Sequence, residues 1–222
     1  MRAVAVLLAA GAGSRLARGP KALLPYRGRT LVEHLAGELR AGGCGDVVIV
    51  LGAGADDVRR RCRLEDYRVV HNPDWASGMG SSFRLGVAVA EGAEAILVAL
   101  VDQPEVNAAL VRRLLERHRT GRVTAAAYRA DAIAGGNPDG AAARHRPAAP
   151  QGTTQAAEPK LRRGHPLVFD APLAVEAAAE AAGDAGARNY LGRHPELIDL
   201  VDCSGLGSAA DVDTEADLPL LD

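Results

Sequence analysis

"LAAGAGSRLARGPKALLPYRGR", Leu8 to Arg29, follows a mostly apolar N-terminal run and packs glycines and cations into one loop. Three readings compete for it: a secretion signal, a dinucleotide loop, or a cradle for a nucleoside triphosphate. A signal peptide would share the basic second residue, the apolar stretch and the small residues. The apolar core is short for one, however, and cleavage near Ala12 or Ala17 would destroy an ordered series of glycines, Arg and Lys. The better reading is a buried strand ending in a glycine turn, in a cytoplasmic protein. A dinucleotide fingerprint needs G-x-G-x-x-G. Gly11 and Gly13 are followed in that register by Leu16, and Leu51-Gly52 stands where an acidic residue should end the second strand. A Walker loop fails too, because Lys21 lies between Pro20 and Ala22. What remains is a strand delivering small residues, Ala9 to Ser14, whose backbone N–H groups can approach phosphate closely. Arg15 and Lys21 add a forked and a point charge to the same loop. Taken alone, the stretch also reads as a strand-to-helix turn with surface cations.

The rest of the 222 residues sets that loop in an α/β frame. Hydrophobic residues make up 48% and aromatics only 3%, so Ala, Val and Leu must build the core through many small contacts. A net charge of −2 supplies no global field for nucleic acid. No run approaches the roughly 18 apolar residues of a membrane span. Cys44, Cys62 and Cys203 are odd in number and include no C-x-x-C pair, which suits buried thiols in a reducing cytosol.

Continuous Val/Ile/Leu runs alternate with helical patterns. "AVAVLLA", "DVVIVLG", "YRVVH" and "AILVALV" read as strands covered on both faces. "TLVEHLAGELRAG", "ADDVRRRC", "SSFRLGVAVAEG" and "NAALVRRLLERHR" read as the helices between them, with Thr30 and Ser81 or Ser82 as N-caps. This alternation predicts βαβ units and a three-layer α/β/α Rossmann-like sandwich with a mainly parallel sheet. The chain reads as one domain over 1–222. Residues from about 129 to 163 break the rhythm, being rich in Gly, Pro and Ala without periodicity, and read as a flexible insertion. "GHPLVF", "APLAVEAAAEAAG" and "ELIDLVD" then resume as strand, helix and strand.

In such sheets ligands sit beyond the carboxyl ends of the strands. Asp102 stands there, in "AILVALVDQP", where a carboxylate beside a phosphate loop can hold Mg²⁺. It could equally start the next turn or cap the helix near Asn107. "SAADVDTEADL" offers Asp211 and Asp213, although Thr214 with Asp217 also forms a capping box. His34, His118 and His194 show no metal-ligand spacing, and "RRRCR" around Cys62 reads as a solvated helix face.

Together "LAAGAGSRLARGPKALLPYRGRTLVEH", "NPDWASGMGSSFRLGV", "VDQP", "GHPLVF" and "DVDTEADL" resemble the nucleotidyltransferases that attach a nucleotide to molybdopterin, above all the molybdenum cofactor cytidylyltransferases. The resemblance covers nearly the whole chain outside the insertion. It implies that Leu8, Ala9, Ala10 and Gly11 meet the base and ribose, and that Gly13, Ser14, Arg15 and Lys21 hold the triphosphate. It places Ser82 near the base, Asp102 and Asp213 on Mg²⁺, and Gly78 and His165 towards the acceptor. Leu-Ala-Ala-Gly leans towards CTP. The implied partners are CTP, molybdopterin or molybdenum cofactor, and a molybdoenzyme that receives the product. The stretch departs from the family pattern at Ala17, where Gly is usual, and in one extra residue between Arg15 and Lys21. Two other expectations attach to the same likeness: a nicotine blue oxidoreductase-like use of NAD(P), and a non-catalytic molybdenum cofactor chaperone.

Overall fold

The computed structural model describes residues 1–16, 18–129 and 160–221. Most of the expected insertion therefore lies outside the described residues. Strand β1 (Ala3–Ala9) leads into the glycine loop. A small hairpin follows, β2 (Pro25–Tyr26) and β3 (Arg29–Thr30), turned by Arg27 and Gly28 at φ 49° and 78°. Two successive positive φ values suit the right-handed twist of a two-residue hairpin. Helix α1 (Leu31–Ala41) then starts behind Thr30, where the Glu33 carboxylate accepts from the Thr30 N–H at 2.9 Å and its Oγ1 at 2.6 Å.

The chain continues through β4 (Asp46–Leu51), α2 (Ala55–Arg61), β5 (Arg68–His71), α3 (Met79–Val89), β6 (Ala95–Leu100) and α4 (Ala108–Arg117). It ends with β7 (Val123–Arg129), β8 (Leu161–Asp170), α5 (Ala171–Glu180), α6 (Arg188–Arg193) and β9 (Ile198–Asp202). Seven strands form one sheet in the order β5-β4-β1-β6-β8-β7-β9. Four of its six pairings are parallel, and β8 runs antiparallel between β6 and β7. The expected mainly parallel three-layer sandwich is the observed fold.

Alternation along β1 divides the core. Ala5, Leu7 and Ala9 pack with Leu35, Val58 and Leu110 on the α1, α2 and α4 side. Val4, Val6 and Leu8 pack with Phe83, Ala177 and Tyr190 on the α3, α5 and α6 side. Leu8 pairs with Leu100 on one flank and Val50 on the other, so the loops after β1, β4 and β6 emerge at one level.

"VTAAAYR" adds a strand, β7, to those read from the sequence. Several local expectations are corrected. β8 begins at Leu161, before "GHPLVF", so the expected insertion overlaps strand at both margins. Neither Ser81 nor Ser82 caps α3. The helix starts at Met79 behind Gly78, and Ser81 Oγ donates to the Gly78 carbonyl at 2.9 Å. Asn107 caps α4, its Oδ1 accepting from the Ala109 and Leu110 N–H groups at 3.1 Å.

Candidate active site

The loop after β1 turns on Gly13, at φ 63°, where any Cβ would collide with the Gly19 carbonyl. The Leu16 N–H donates back to the Gly13 carbonyl at 3.0 Å, and the Leu16 side chain is buried. That anchor leaves Arg15 outward, with its side chain 78% exposed and its Nη1 3.5 Å from Asp213. Lys21 opens a short 3₁₀ turn, Lys21–Leu23, pinned by buried Ala22 and Leu24, and its side chain runs into the cleft.

There Lys21 Nζ lies 3.0 Å from Asp102 Oδ2 and makes a second, shorter contact with Asp213. Burial acts to lower the Lys21 pKa. Asp102 and Asp213 outweigh it and raise the pKa, so the ammonium stays charged. Asp102 neither caps α4 nor merely starts a turn. Its carbonyl accepts from the Val212 N–H at 2.8 Å, drawing the acidic tail against the end of β6. Its Oδ1 is buried with no hydrogen-bond partner among the described residues. Asp217 takes the capping role, accepting from the Thr214 N–H at 2.7 Å and the Asp213 N–H at 3.1 Å, so the Asp213 carboxylate is left to face Lys21. Asp211 is half-buried beside them. Burial first, then Asp102 and Asp213, push its pKa up to about 6.

Two compartments form the cleft. The first, about 330 Å³, is lined by Leu8, Ala10, Gly11, Ser14, Lys21 and Asp102, with Gly78 and Ser82 opposite. Trp75 closes its side over Gly52, where a Cβ would meet the Trp75 Cγ at 2.7 Å. Ser82 is buried and, with Ser81, accepts from Asn72 Nδ2 at 2.9 and 2.8 Å. The second compartment, about 520 Å³, takes in Arg15, Asp213, Asp211 and His165. Met79, Leu100, Asp102 and Asp184 border both. His165 is partly buried. Burial, then Arg163 and Arg188, hold its pKa down to about 4, so the ring is neutral at pH 7.

Most residues expected at the site therefore converge, and two do so differently. Ala9 is buried on the α1 face of the sheet, because alternation turns it away from Leu8 and Ala10. Gly78 lines the first compartment, but what its backbone requires is a close neighbour: at φ 109°, a Cβ would lie 2.8 Å from the Asp184 nitrogen. Asp184, Met79, Arg163 and Arg188 were not anticipated. Arg163 falls inside the stretch read as insertion, and α6, which carries Arg188, is too short to show a helical period.

A glycine-turned loop, a half-buried lysine and two facing carboxylates, one beyond β6 and one in the C-terminal tail, suit a nucleotidyltransferase. The chain belongs to the MobA-like NTP transferase domain family, whose model matches residues 5–197. It is 51% identical over 210 residues to a protein named nicotine blue oxidoreductase from Paenarthrobacter nicotinovorans, covering 94% of this chain and 91% of that one. A bifunctional IPC transferase and DIPP synthase from Rubrobacter xylanophilus is 39% identical over 116 residues, half of this chain and 26% of its own length. Among solved structures, a Mycobacterium tuberculosis H37Rv protein in complex with manganese superposes with a TM-score of 0.71 at 28% identity, covering 100% and 98% of the two chains. A Methanothermobacter nucleotidyl transferase gives 0.73 at 23% identity, covering 99% and 96%, a likeness of fold.

Proposed function

We propose that the chain transfers CMP from CTP to the terminal phosphate of molybdopterin and releases pyrophosphate, acting as one domain over 1–222 in the cytoplasm. The observation that carries this reading is Lys21 held between Asp102 and Asp213 beside the Gly11–Ser14 loop. The triphosphate would lie along that loop, with Arg15 at the outer edge and the base towards Leu8 and Ser82. The acceptor phosphate needs no general base, since its second pKa is about 6 and it is largely ionised at neutral pH. Its oxygen forms the new bond to the α-phosphorus as the bond to the bridging oxygen breaks, and pyrophosphate carries away the electron pair. Lys21 and Arg15 offset the charge that builds on the leaving group.

The residues also fit a hard divalent cation. They offer carboxylate oxygens only, one of them the unpartnered Asp102 Oδ1. Among the described residues no cluster of three or more His, Cys, Asp or Glu side chains gathers around one point. One or two carboxylates completed by substrate phosphates is the usual binding mode of Mg²⁺. Asp102 and Asp213 would hold it, where it would neutralise phosphate charge. The manganese complex of the mycobacterial neighbour supports the use of a divalent ion.

Pyrophosphate release tests the reading, with Mg²⁺, molybdenum cofactor and CTP, GTP, ATP or UTP offered separately. Release with CTP alone is expected. Release with another nucleotide overturns the base assignment, and binding of molybdenum cofactor without any release points to a chaperone.

One observation favours a second reading, the 51% identity to the protein named nicotine blue oxidoreductase. The loop does not fit a dinucleotide fingerprint, because buried Leu16 holds the third glycine register and Leu51-Gly52 ends β4 without an acidic side chain. A change in NAD(P)H absorbance with no triphosphate present would nevertheless establish that reading and displace the first.

A further inference from the structure

The larger compartment is electrically divided. At one end stand Asp102, Asp211 and Asp213, two of them bound to Lys21 of the neighbouring compartment. At the other stand Arg163, on β8, and Arg188, at the start of α6, with His165 lining the same compartment. The two guanidiniums act on each other and on His165. Burial and Arg188 lower the pKa of Arg163. Some arginines meet carboxylates: Arg119 and Arg122 meet Asp199, Arg129 meets Asp202, and Arg193 meets Glu180. Arg163 and Arg188 line one compartment, exposed and without an ion pair among the described residues, and feel a mutual repulsion. An anion with several oxygens, gripped by two planar forks, would relieve it.

We propose that Arg163 and Arg188 seat the phosphomonoester dianion of the acceptor. This rests on the nucleotidyl-transfer reading of the cleft and extends it to the acceptor's binding group. The seat shares its compartment with Asp102, which also borders the nucleotide compartment, so a phosphate held there faces the position assigned to the α-phosphate. Neutral His165 presents polar surface to the anion without adding a third charge. Specificity for the acceptor then starts with charge and fork geometry, before any contact with the rest of the molecule.

Calorimetric titration of the full chain with phenyl phosphate tests this, with and without the non-hydrolysable α,β-methylene analogue of CTP and Mg²⁺. Phenyl phosphate should bind the analogue-loaded protein. Arg163→Ala and Arg188→Ala should each weaken that binding by about tenfold or more, the size of one lost charged hydrogen bond. Arg188→Lys should fall between, keeping the charge and losing the fork. Affinity for the CTP analogue should stay unchanged in all three. Wild-type phenyl phosphate affinity in both alanine variants overturns the seat. Competition between phenyl phosphate and the analogue overturns it too, since the anion recognised would then be the nucleotide's own. An analogue that fails to bind the wild type, with arginine-dependent phenyl phosphate binding intact, sinks the nucleotidyl-transfer reading and leaves the seat standing.

Discussion

Lys21 sits where burial and charge pull in opposite directions, and charge wins because two carboxylates face one ammonium. Removing the ammonium leaves Asp102 and Asp213 repelling each other and the incoming triphosphate. Lys21→Ala is therefore expected to raise the KM for nucleotide and lower kcat by about 10²–10³-fold, the scale of one lost preorganised donor. Steady-state kinetics beside a nucleotide titration will show it; normal values for both would remove Lys21 from the mechanism. Asp102→Asn keeps the side-chain shape and deletes the charge, so metal-dependent turnover should vanish while the circular dichroism spectrum is preserved. His165 makes a prediction about stability. Its native pKa of about 4 lies below the ordinary 6.5, so the folded state favours the neutral ring. That contribution is fully present above about pH 6.5 and is lost as pH falls through 4. Allowing for partial solvent screening it amounts to about 2 kcal/mol. Urea unfolding at pH 7 and pH 4 should show a smaller pH difference in His165→Asn than in the wild type, and equal differences would refute the assignment. Asp102 was legible in the sequence because it stands two residues beyond a recognisable strand end, and Lys21 because it belongs to the glycine- and cation-rich loop that follows β1. Arg163 and Arg188 were not, since their meeting depends on how distant elements pack.

Between elements, the same limit has a visible cause. Strands β1, β4 and β6 announce themselves through runs of Val, Ile and Leu, whereas β7 is held by its neighbours, pairing with β8 and β9 through a centre of three alanines. Propensity carries little information there, because what stabilises a central strand is packing on both faces. The antiparallel sense of β8 is equally invisible locally. Helix α3 shows how tightly the layers close. A Cβ at Gly86 would collide with Val6 Cγ1 and stand 3.2 Å from Val50 Cγ2. Ala gains up to about 1 kcal/mol over Gly in a helix interior, but overpacking a rigid core costs about 1–3 kcal/mol. The clash involves two β-branched side chains on the central strands, so it should dominate. Gly86→Ala is expected to lower stability by about 1–2 kcal/mol in chemical denaturation, and a stabilised variant would mean that α3 can slide off β1.

At the level of the whole molecule, the cleft lies along the carboxyl edge of one continuous sheet, so a ligand in it braces the loops after β1 and β6 together. A nucleotide at a hundred times its dissociation constant adds about 2.7 kcal/mol to the folded state, or a rise in Tm of about 5–10 °C for a chain of this size. CTP with Mg²⁺ should produce that rise, and CTP with chelator a smaller one. A rise with NADPH and none with CTP would transfer the assignment to the oxidoreductase reading. Because β8 runs against β6 and β7, Arg129 at the end of one strand and Leu161 at the start of the next lie opposite each other, at the same edge as Asp102. Arg163, two residues past Leu161, lines the larger compartment. Lineages can lengthen, shorten or rewrite the connection between Arg129 and Leu161 while the sheet is inherited intact, since loop closure depends only weakly on length. A change in that connection can thus leave the cradle after β1 as it stands.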